Sequence, residues 1–278
     1  MSKKTDIGVM QGRLLPKYQG RYQAHPLNYW KSEFVLAKER SLDCIEFILD
    51  YNDVESNPLM SNSGILEIKE EINKSNVEVL SVCADYFMES PFHQDNEHKV
   101  SKSQDILKRL IDSSEIIGIK NIIIPCVDDS SLPLESFDKF IINIEELVKY
   151  AEHKSINICL ETDLPPREFK ILIDGFNNNN NIKVNYDIGN SASLGYNVEE
   201  EFKFYGNYIS DVHIKDRVFN GGSVELGLGD ADFDALVIEL KKIDYSGLII
   251  LQAYRDDEGL NIFDKQYNFF VKKFKELI

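Results

Sequence analysis

Basic residues are scarce relative to acidic ones in this 278-residue chain: 31 Lys and Arg stand against 47 Asp and Glu, a formal net charge of −16. Phosphate backbones are held by clustered Lys and Arg, so a nucleic-acid partner is excluded as the general case. The bulk charge is silent on small anions, which respond to the local field of one pocket. Cysteine is also sparse. Cys44, Cys83, Cys126 and Cys159 form no CxxC pair and no short metal-knuckle spacing. Each falls in an apolar, strand-like run, where a free thiol packs as a small hydrophobe. That usage fits a reduced, cytoplasmic setting better than a disulfide framework. Long apolar runs are missing too. The four-residue run before Gln11 is too short for a signal-peptide core, and no stretch approaches a membrane span, so a soluble chain without a membrane partner is expected. Finally, no GxGxxG follows the first apolar run, which removes the main support for a dinucleotide fold.

What the chain does have is a regular alternation. Short Val- and Ile-rich runs occur at Ile7–Met10, Cys44–Ile48, Val77–Ala84, Ile122–Pro125, Ile156–Leu160, Ile182–Asp187, Ile209–Ile214 and Leu248–Leu251. They mostly lack polar alternation, as expected of strands buried on both faces. Helical patterns lie between them. The clearest places Phe137, Phe140, Ile141, Ile144, Leu147, Val148 and Ala151 on one stripe, after Ser136 and Pro133. Others contain Phe34–Ala37, Ile65–Ile72, Ile106–Ile117, Phe169–Phe176, Phe233–Leu240 and Phe270–Leu277. Eight strand–helix units of about 35 residues predict an α/β chain folded as a closed parallel (β/α)8 barrel, for which roughly 250 residues is an ordinary size. Aromatic and branched residues recur throughout, which excludes disorder, and no composition shift marks a second domain, so residues 1–278 are read as one domain. The asparagine run Asn177–Asn181 is expected in a loop on the face away from the chemistry.

In such a barrel, chemistry sits at the C-terminal strand ends. The fifth run leads to Glu161, the sixth ends at Asp187, the seventh carries His213 and the eighth leads to Gln252. Each alone reads as a polar residue capping a strand. Together, oxygen donors with one imidazole suit a hard or borderline divalent ion: Mn²⁺, Mg²⁺, Co²⁺ or Zn²⁺.

The segments "ICLET" at Ile158–Thr162, "VNYDIGN" at Val184–Asn190, "VHIKD" at Val212–Asp216 and "GLGDADF" at Gly227–Phe233 carry a resemblance. Together with "YWKSEFVLAKERSLDCIEF" near the start, they make the whole chain similar to the xylose-isomerase-like TIM barrels. The branch it resembles is that of sugar phosphate isomerases and epimerases, related to ketose 3-epimerases and hexulose-phosphate isomerases. The resemblance implies that Glu161, Asp187 and His213 hold one divalent metal ion and that Glu161 also handles a proton. The family's fourth ligand is usually a glutamate, paired with the first as acid/base machinery, and here Gln252 stands at that position. An amide oxygen can still coordinate, but it brings no charge and takes no proton near neutrality. The ligand set then carries about −2 instead of −3, which weakens metal binding at fixed geometry. A two-carboxylate epimerisation through Gln252 is thereby placed in doubt. A one-base aldose–ketose shuffle, or a different second base, survives.

Glu46, Asp85, Lys215 and Asp216 are the nearby alternatives. Glu46 is read as a partner of a substrate hydroxyl or of the metal's surroundings, and Lys215 as a carbonyl polariser, an anion contact or a solvated loop lysine. The loop from Met10 to Pro26 holds Gln11, Arg13, Lys17, Arg21, Gln23 and His25 and is locally basic. Arg13 is the expected bidentate clamp for a phosphate or carboxylate, with Arg217 the other candidate. Trp30, Tyr86, Phe87 and Phe92 are read as packing before recognition, and His93 and His98 as solvated loop residues before a second metal site.

The leading expectation is a divalent-metal-dependent isomerase or epimerase of a sugar or sugar phosphate, acting through proton abstraction beside a carbonyl and an enediolate. A lyase or dehydratase acting on a keto-polyol begins with the same step. A sugar-binding barrel whose catalysis lapsed with Gln252 is a second class. An endonuclease IV-like nuclease would need a histidine-rich multi-metal site and a basic face, against five histidines and a charge of −16. The expected partner is a small sugar, and a homo-oligomer is compatible with the chain.

Overall fold

Eight parallel strands close into one barrel, in the order β1-β8-β7-β6-β5-β4-β3-β2. The computed structural model describes residues 5–177 and 179–277, so residues 1–4, Asn178 of the asparagine run and Ile278 lie outside the description. The strands are β1 (Asp6–Met10), β2 (Cys44–Ile48), β3 (Glu78–Cys83), β4 (Asn121–Cys126), β5 (Asn157–Thr162), β6 (Ile182–Asp187), β7 (Ile209–Ile214) and β8 (Leu248–Leu251). Each matches one of the predicted apolar runs, with shifts at the ends. The run predicted as Ile156–Leu160 extends to Thr162, because Glu161 and Thr162 still pair with Pro125 and Cys126 of β4. Ladder hydrogen bonds do not stop where hydrophobicity does, so a polar residue can close a strand.

Among the described residues, eight helices of at least eight residues follow the strands: α1 (Ser32–Glu39), α2 (Asn62–Ser75), α3 (Glu97–Ile117), α4 (Phe137–His153), α5 (Pro166–Gly175), α6 (Val198–Tyr205), α7 (Phe233–Lys242) and α8 (Leu260–Lys273). The predicted stripe of α4 buries Phe137, Phe140, Ile144, Val148 and Ala151. Side-chain oxygens of Ser61, Asn96, Asn197 and Asp232 cap α2, α3, α6 and α7. Each satisfies an otherwise orphaned amide at its helix start. Among the described residues, no helix is long and apolar enough to cross a membrane.

Two cores result. The large one lies between sheet and helices and includes Trp30, Tyr86, Phe87, Phe92 and Cys126, so those aromatics pack. The small one, inside the barrel, joins Met10, Ile48, Ile123 and Ile250 with Cys44, Cys83 and Cys159. All four cysteines are free and buried. The inner space also holds the wholly buried Glu46, Ser81, Asp211 and His213. These polar side chains lead up to the C-terminal rim.

Candidate active site

Strand pairing alone sets the rim. Asp187 is directly opposite His213 in the β6–β7 ladder, and Glu161 stands near the end of the neighbouring β5. Ligand atoms of Glu161, Asp187 and His213 all lie within 4.8 Å of one another, and all three residues are buried. Gln252 follows β8 and lines the same cavity, of about 340 Å³, together with Glu161, Asp85, Asn190, Lys215 and Arg217. A second cavity of about 330 Å³ lies at the opposite, N-terminal floor, lined by Lys120, Asn121, Lys183 and Ser210 among others, so size alone does not distinguish the site.

Two asparagines that the sequence reading did not single out organise this cluster. Asn185 Nδ2 donates to Glu161 Oε2 at 3.2 Å and lies 3.1 Å from His213 Nδ1. Asn190 Nδ2 donates to Glu161 Oε1 at 2.8 Å, while its Oδ1 accepts from Lys215 Nζ (3.2 Å) and Arg217 Nη1 (2.9 Å). Both residues sit in "VNYDIGN", where the strand turns into a short helix, Ile188–Leu194. Asp187 caps that helix, accepting from Asn190 N at 2.9 Å, and its other oxygen meets Lys215 Nζ at 3.2 Å. The glycine of the motif is required by close approach: a Cβ on Gly189 would stand 2.7 Å from Lys215 Cγ. Behind the helix, Glu201 accepts from Tyr186, Ser191 and Tyr205 hydroxyls and ties it to the barrel.

Electrostatics follow from burial. Removal from water pushes the Glu161 carboxyl up to about 7, with Asp187 and Asp85 adding repulsion and His213 and Lys215 opposing it. Burial would lower the His213 imidazole, but Glu46, Glu161 and Asp211 outweigh it and raise the group to about 10. Glu46 is the nearest of these, with Oε1 at 2.9 Å from His213 Nε2 and Oε2 accepting from Ser81 at 2.7 Å. Glu46 and Asp211 form a second convergence on His213, deeper in the barrel than the first.

The structure places the remaining predicted residues differently from one another. Asp85 lines the cavity: its Oδ2 accepts from Gln23 Nε2 at 2.8 Å and its Oδ1 from Cys83 Sγ at 3.2 Å. Lys215 and Arg217 line it too, with Arg217 Nε held by the Gly221 carbonyl at 3.0 Å. Arg13, the expected clamp, is not on the cavity wall. It is buried, and its guanidinium donates to Ala253 O, Tyr22 O and Gln23 Oε1. The guanidinium fork thus ties the first loop to the segment after β8. The loop's other cations are also paired, Lys17 with Asp257 and Arg21 with Asp50. Asp216 does not line the cavity, and its oxygens accept from the amides of Gly227, Gly229 and Ala231. That nest explains "GLGDADF", since a Cβ on Gly229 would lie 2.2 Å from Asp216 Oδ1. Among the described residues, neither His93 nor His98 belongs to a metal-ligand cluster.

The donor set fits a divalent cation. Two carboxylates and an imidazole converge, and the Gln252 Oε1 atom is buried without a hydrogen-bond partner. Buried polar atoms are nearly always satisfied, so an orphaned carbonyl oxygen beside this cluster points to a missing electrophile.

Comparison with known proteins agrees with this architecture. Residues 34–273 match the family described as Xylose isomerase-like TIM barrel. A Haemophilus influenzae protein whose name provisionally assigns it L-ribulose-5-phosphate 3-epimerase activity is 26% identical over 268 residues, covering 91% of this chain and 90% of its own length. Among solved structures, the IOLI protein with a binding zinc atom superposes with a TM-score of 0.78 at 16% identity, covering 99% of each chain. The D-allulose 3-epimerase of Methylomonas sp., in complex with D-allulose, gives 0.73 at 16% identity and 98% of each chain.

Proposed function

The chain belongs to the xylose isomerase-like TIM barrel family, and we propose that it is a divalent-metal-dependent epimerase or isomerase of a ketose or ketose phosphate. The observation that carries this reading is the convergence of Glu161, Asp187 and His213 within 4.8 Å beside a cavity that Lys215 and Glu161 also line. Relatives named for ketose 3-epimerisation support the same chemistry.

Glu161, Asp187, His213 and the Gln252 carbonyl oxygen would hold the ion, with Mn²⁺, Mg²⁺, Co²⁺ and Zn²⁺ all suited to such donors. When bound, a divalent ion supplies Lewis-acid stabilisation of negative charge developing on the substrate's oxygens. The protein does the rest. Glu161 would take the proton from the carbon beside the carbonyl. The amides of Asn185 and Asn190 hold its two oxygens and so fix the direction in which the carboxylate faces. The Lys215 ammonium, anchored by Asp187 and Asn190, presents a positive charge where an enediolate oxygen would gather electron density. Glu46 holds His213 from inside the barrel, which fixes the imidazole's orientation.

The test is solvent exchange. Mn²⁺-loaded protein is incubated in deuterated water with L-ribulose 5-phosphate, L-ribulose and D-allulose, and followed by NMR. Deuterium is expected on the carbon beside the carbonyl, with an isomeric sugar, both lost on chelation and in Glu161→Gln. Loss of water instead of isomerisation would assign a lyase. Binding without exchange from any of the three sugars would assign a binding barrel.

A further inference from the structure

We propose that Asp85 is the second proton carrier of this site, taking the part that Gln252 cannot play. The assignment rests on the epimerase reading above. Inverting a carbon beside a carbonyl requires that a proton leave one face of a planar intermediate and another arrive on the opposite face. One carboxylate held by two asparagines reaches one face only. A second proton-bearing group must therefore line the cavity, and an amide at position 252 has no proton to exchange near neutrality.

Among the described residues, three carboxyl side chains line the cavity: Glu161, Asp85 and Asp128. Asp128 is exposed to water, on a short turn after β4. Asp85 is two residues past the end of β3, two strands round the rim from Glu161, and its charge adds to the repulsion on the Glu161 carboxyl. Its position also invites a structural explanation, since it stands at the start of the short helix Tyr86–Glu89. The side chain makes no capping hydrogen bond there. It is turned instead toward Gln23 and Cys83.

A relay of hydrogen bonds explains why an amide occupies position 252. Gln252 Nε2 donates to Gln23 Oε1 at 3.2 Å, and Gln23 Nε2 donates to Asp85 Oδ2 at 2.8 Å. Arg13 Nη2 also donates to Gln23 Oε1, at 3.1 Å, locking that amide's orientation. A glutamate at 252 would face the Gln23 carbonyl oxygen without a proton to donate. The glutamine supplies the donor that turns Gln23 toward Asp85. Asp85 lines the cavity outside the metal-ligand cluster, and burial, with Asp50 and Glu46 adding repulsion, raises its carboxyl to about 6, so that it can carry a proton.

The step balances without a further reactant. Glu161 carboxylate removes the proton as the C–H bond breaks, and the pair of electrons moves into the enediolate. The Asp85 carboxylic acid then delivers its O–H proton to the opposite face of the same carbon as the new C–H bond forms. Glu161 ends protonated and Asp85 ionised, and solvent exchange resets both.

Asp85→Asn separates the two half-steps. With Mn²⁺-loaded protein and whichever of L-ribulose 5-phosphate, L-ribulose or D-allulose the wild type epimerises, epimer formation should fall at least 100-fold. Wash-in of solvent deuterium to the starting sugar at the same carbon should stay within 10-fold of wild type, because Glu161 still acts. Glu161→Gln should lose both from that side. Epimerisation by Asp85→Asn within 3-fold of wild type, or an equal fall of exchange and epimerisation, overturns the assignment. Gln23→Leu keeps the carboxyl but removes its holder, and should lower the ratio of epimerisation to exchange at least 10-fold. If Asp85→Asn fails to fold, an unchanged ratio in Gln23→Leu overturns the assignment instead. A wild type that neither exchanges nor epimerises any of these sugars fails the epimerase reading itself, and Asp85 with it.

Discussion

Glu46 Oε1 lies 2.9 Å from His213 Nε2, and neither side chain has any exposure to solvent. The two atoms are at ion-pair distance without hydrogen-bond alignment, and Asp211 Oδ1 is likewise buried without a donor. A buried charge pair of this kind contributes through what its loss leaves behind, an imidazole and carboxylates with no water to solvate them.

Glu46→Gln should therefore weaken Mn²⁺ binding by about 10- to 100-fold, because the group that orients the ligating histidine is lost. Global stability should fall by roughly 3 kcal/mol. Calorimetric titration and urea unfolding measure the two separately. Unaltered metal affinity would show that His213 is oriented without Glu46.

The metal-free protein should lose stability as pH rises. Burial raises Glu33 from 4.5 to about 7, Asp85 from 3.8 to about 6 and Glu161 from 4.5 to about 7. Each folded carboxyl binds its proton more tightly than the unfolded chain does. Its contribution is thus complete below the unfolded value and lost as pH climbs through the folded one. Melting in chelator should show Tm falling between pH 5 and pH 7.5. Saturating Mn²⁺ should flatten that slope, because the cation holds Glu161 as the carboxylate. A pH-independent Tm in chelator would contradict the raised carboxyls.

Gln252→Glu restores a negative charge next to the cluster and should tighten Mn²⁺ binding by about 10-fold. The same change removes the donor to Gln23 Oε1. Epimerisation should therefore fail to improve, and the ratio of epimerisation to deuterium exchange should drop. Weaker metal binding in this variant would place the side chain of residue 252 away from the ion.

Arg13→Ala should act on the fold of the first loop. It deletes donors to Ala253 O, Tyr22 O and Gln23 Oε1 in a buried setting, costing about 2–3 kcal/mol. The preference between a ketose and its phosphate, compared through kcat/KM, should stay within about 2-fold. A large loss confined to the phosphorylated substrate would restore the anion-clamp role.

How much was legible in the sequence differs between the frame and the contacts. The eight strands could be read because strands buried on both faces leave continuous apolar runs, and Glu161, Asp187 and His213 could be placed at one rim from strand ends alone. Asn185 and Asn190 lay inside quoted motifs but carried no signal of their own, since asparagines at a strand–helix junction are common turn residues. Arg13 read as a clamp because one side chain's hydrogen-bond partners are not encoded by its neighbours in the chain. One of its two carbonyl partners, Ala253, is 240 residues away.

By itself, the order of residue types determined the alternation of strands and helices, the closure of a parallel barrel and the chemical kinds of group on its active rim. These depend on periodicity and spacing, which are local. The tertiary structure alone decided which groups are held, buried and aimed. Arg13 is tied to the backbone, Asp216 is enclosed by three amides, and Gln252 is linked through Gln23 to Asp85. The reason is physical: a hydrogen bond depends on distance and direction in space, and closing the barrel brings the first loop against the segment after the last strand.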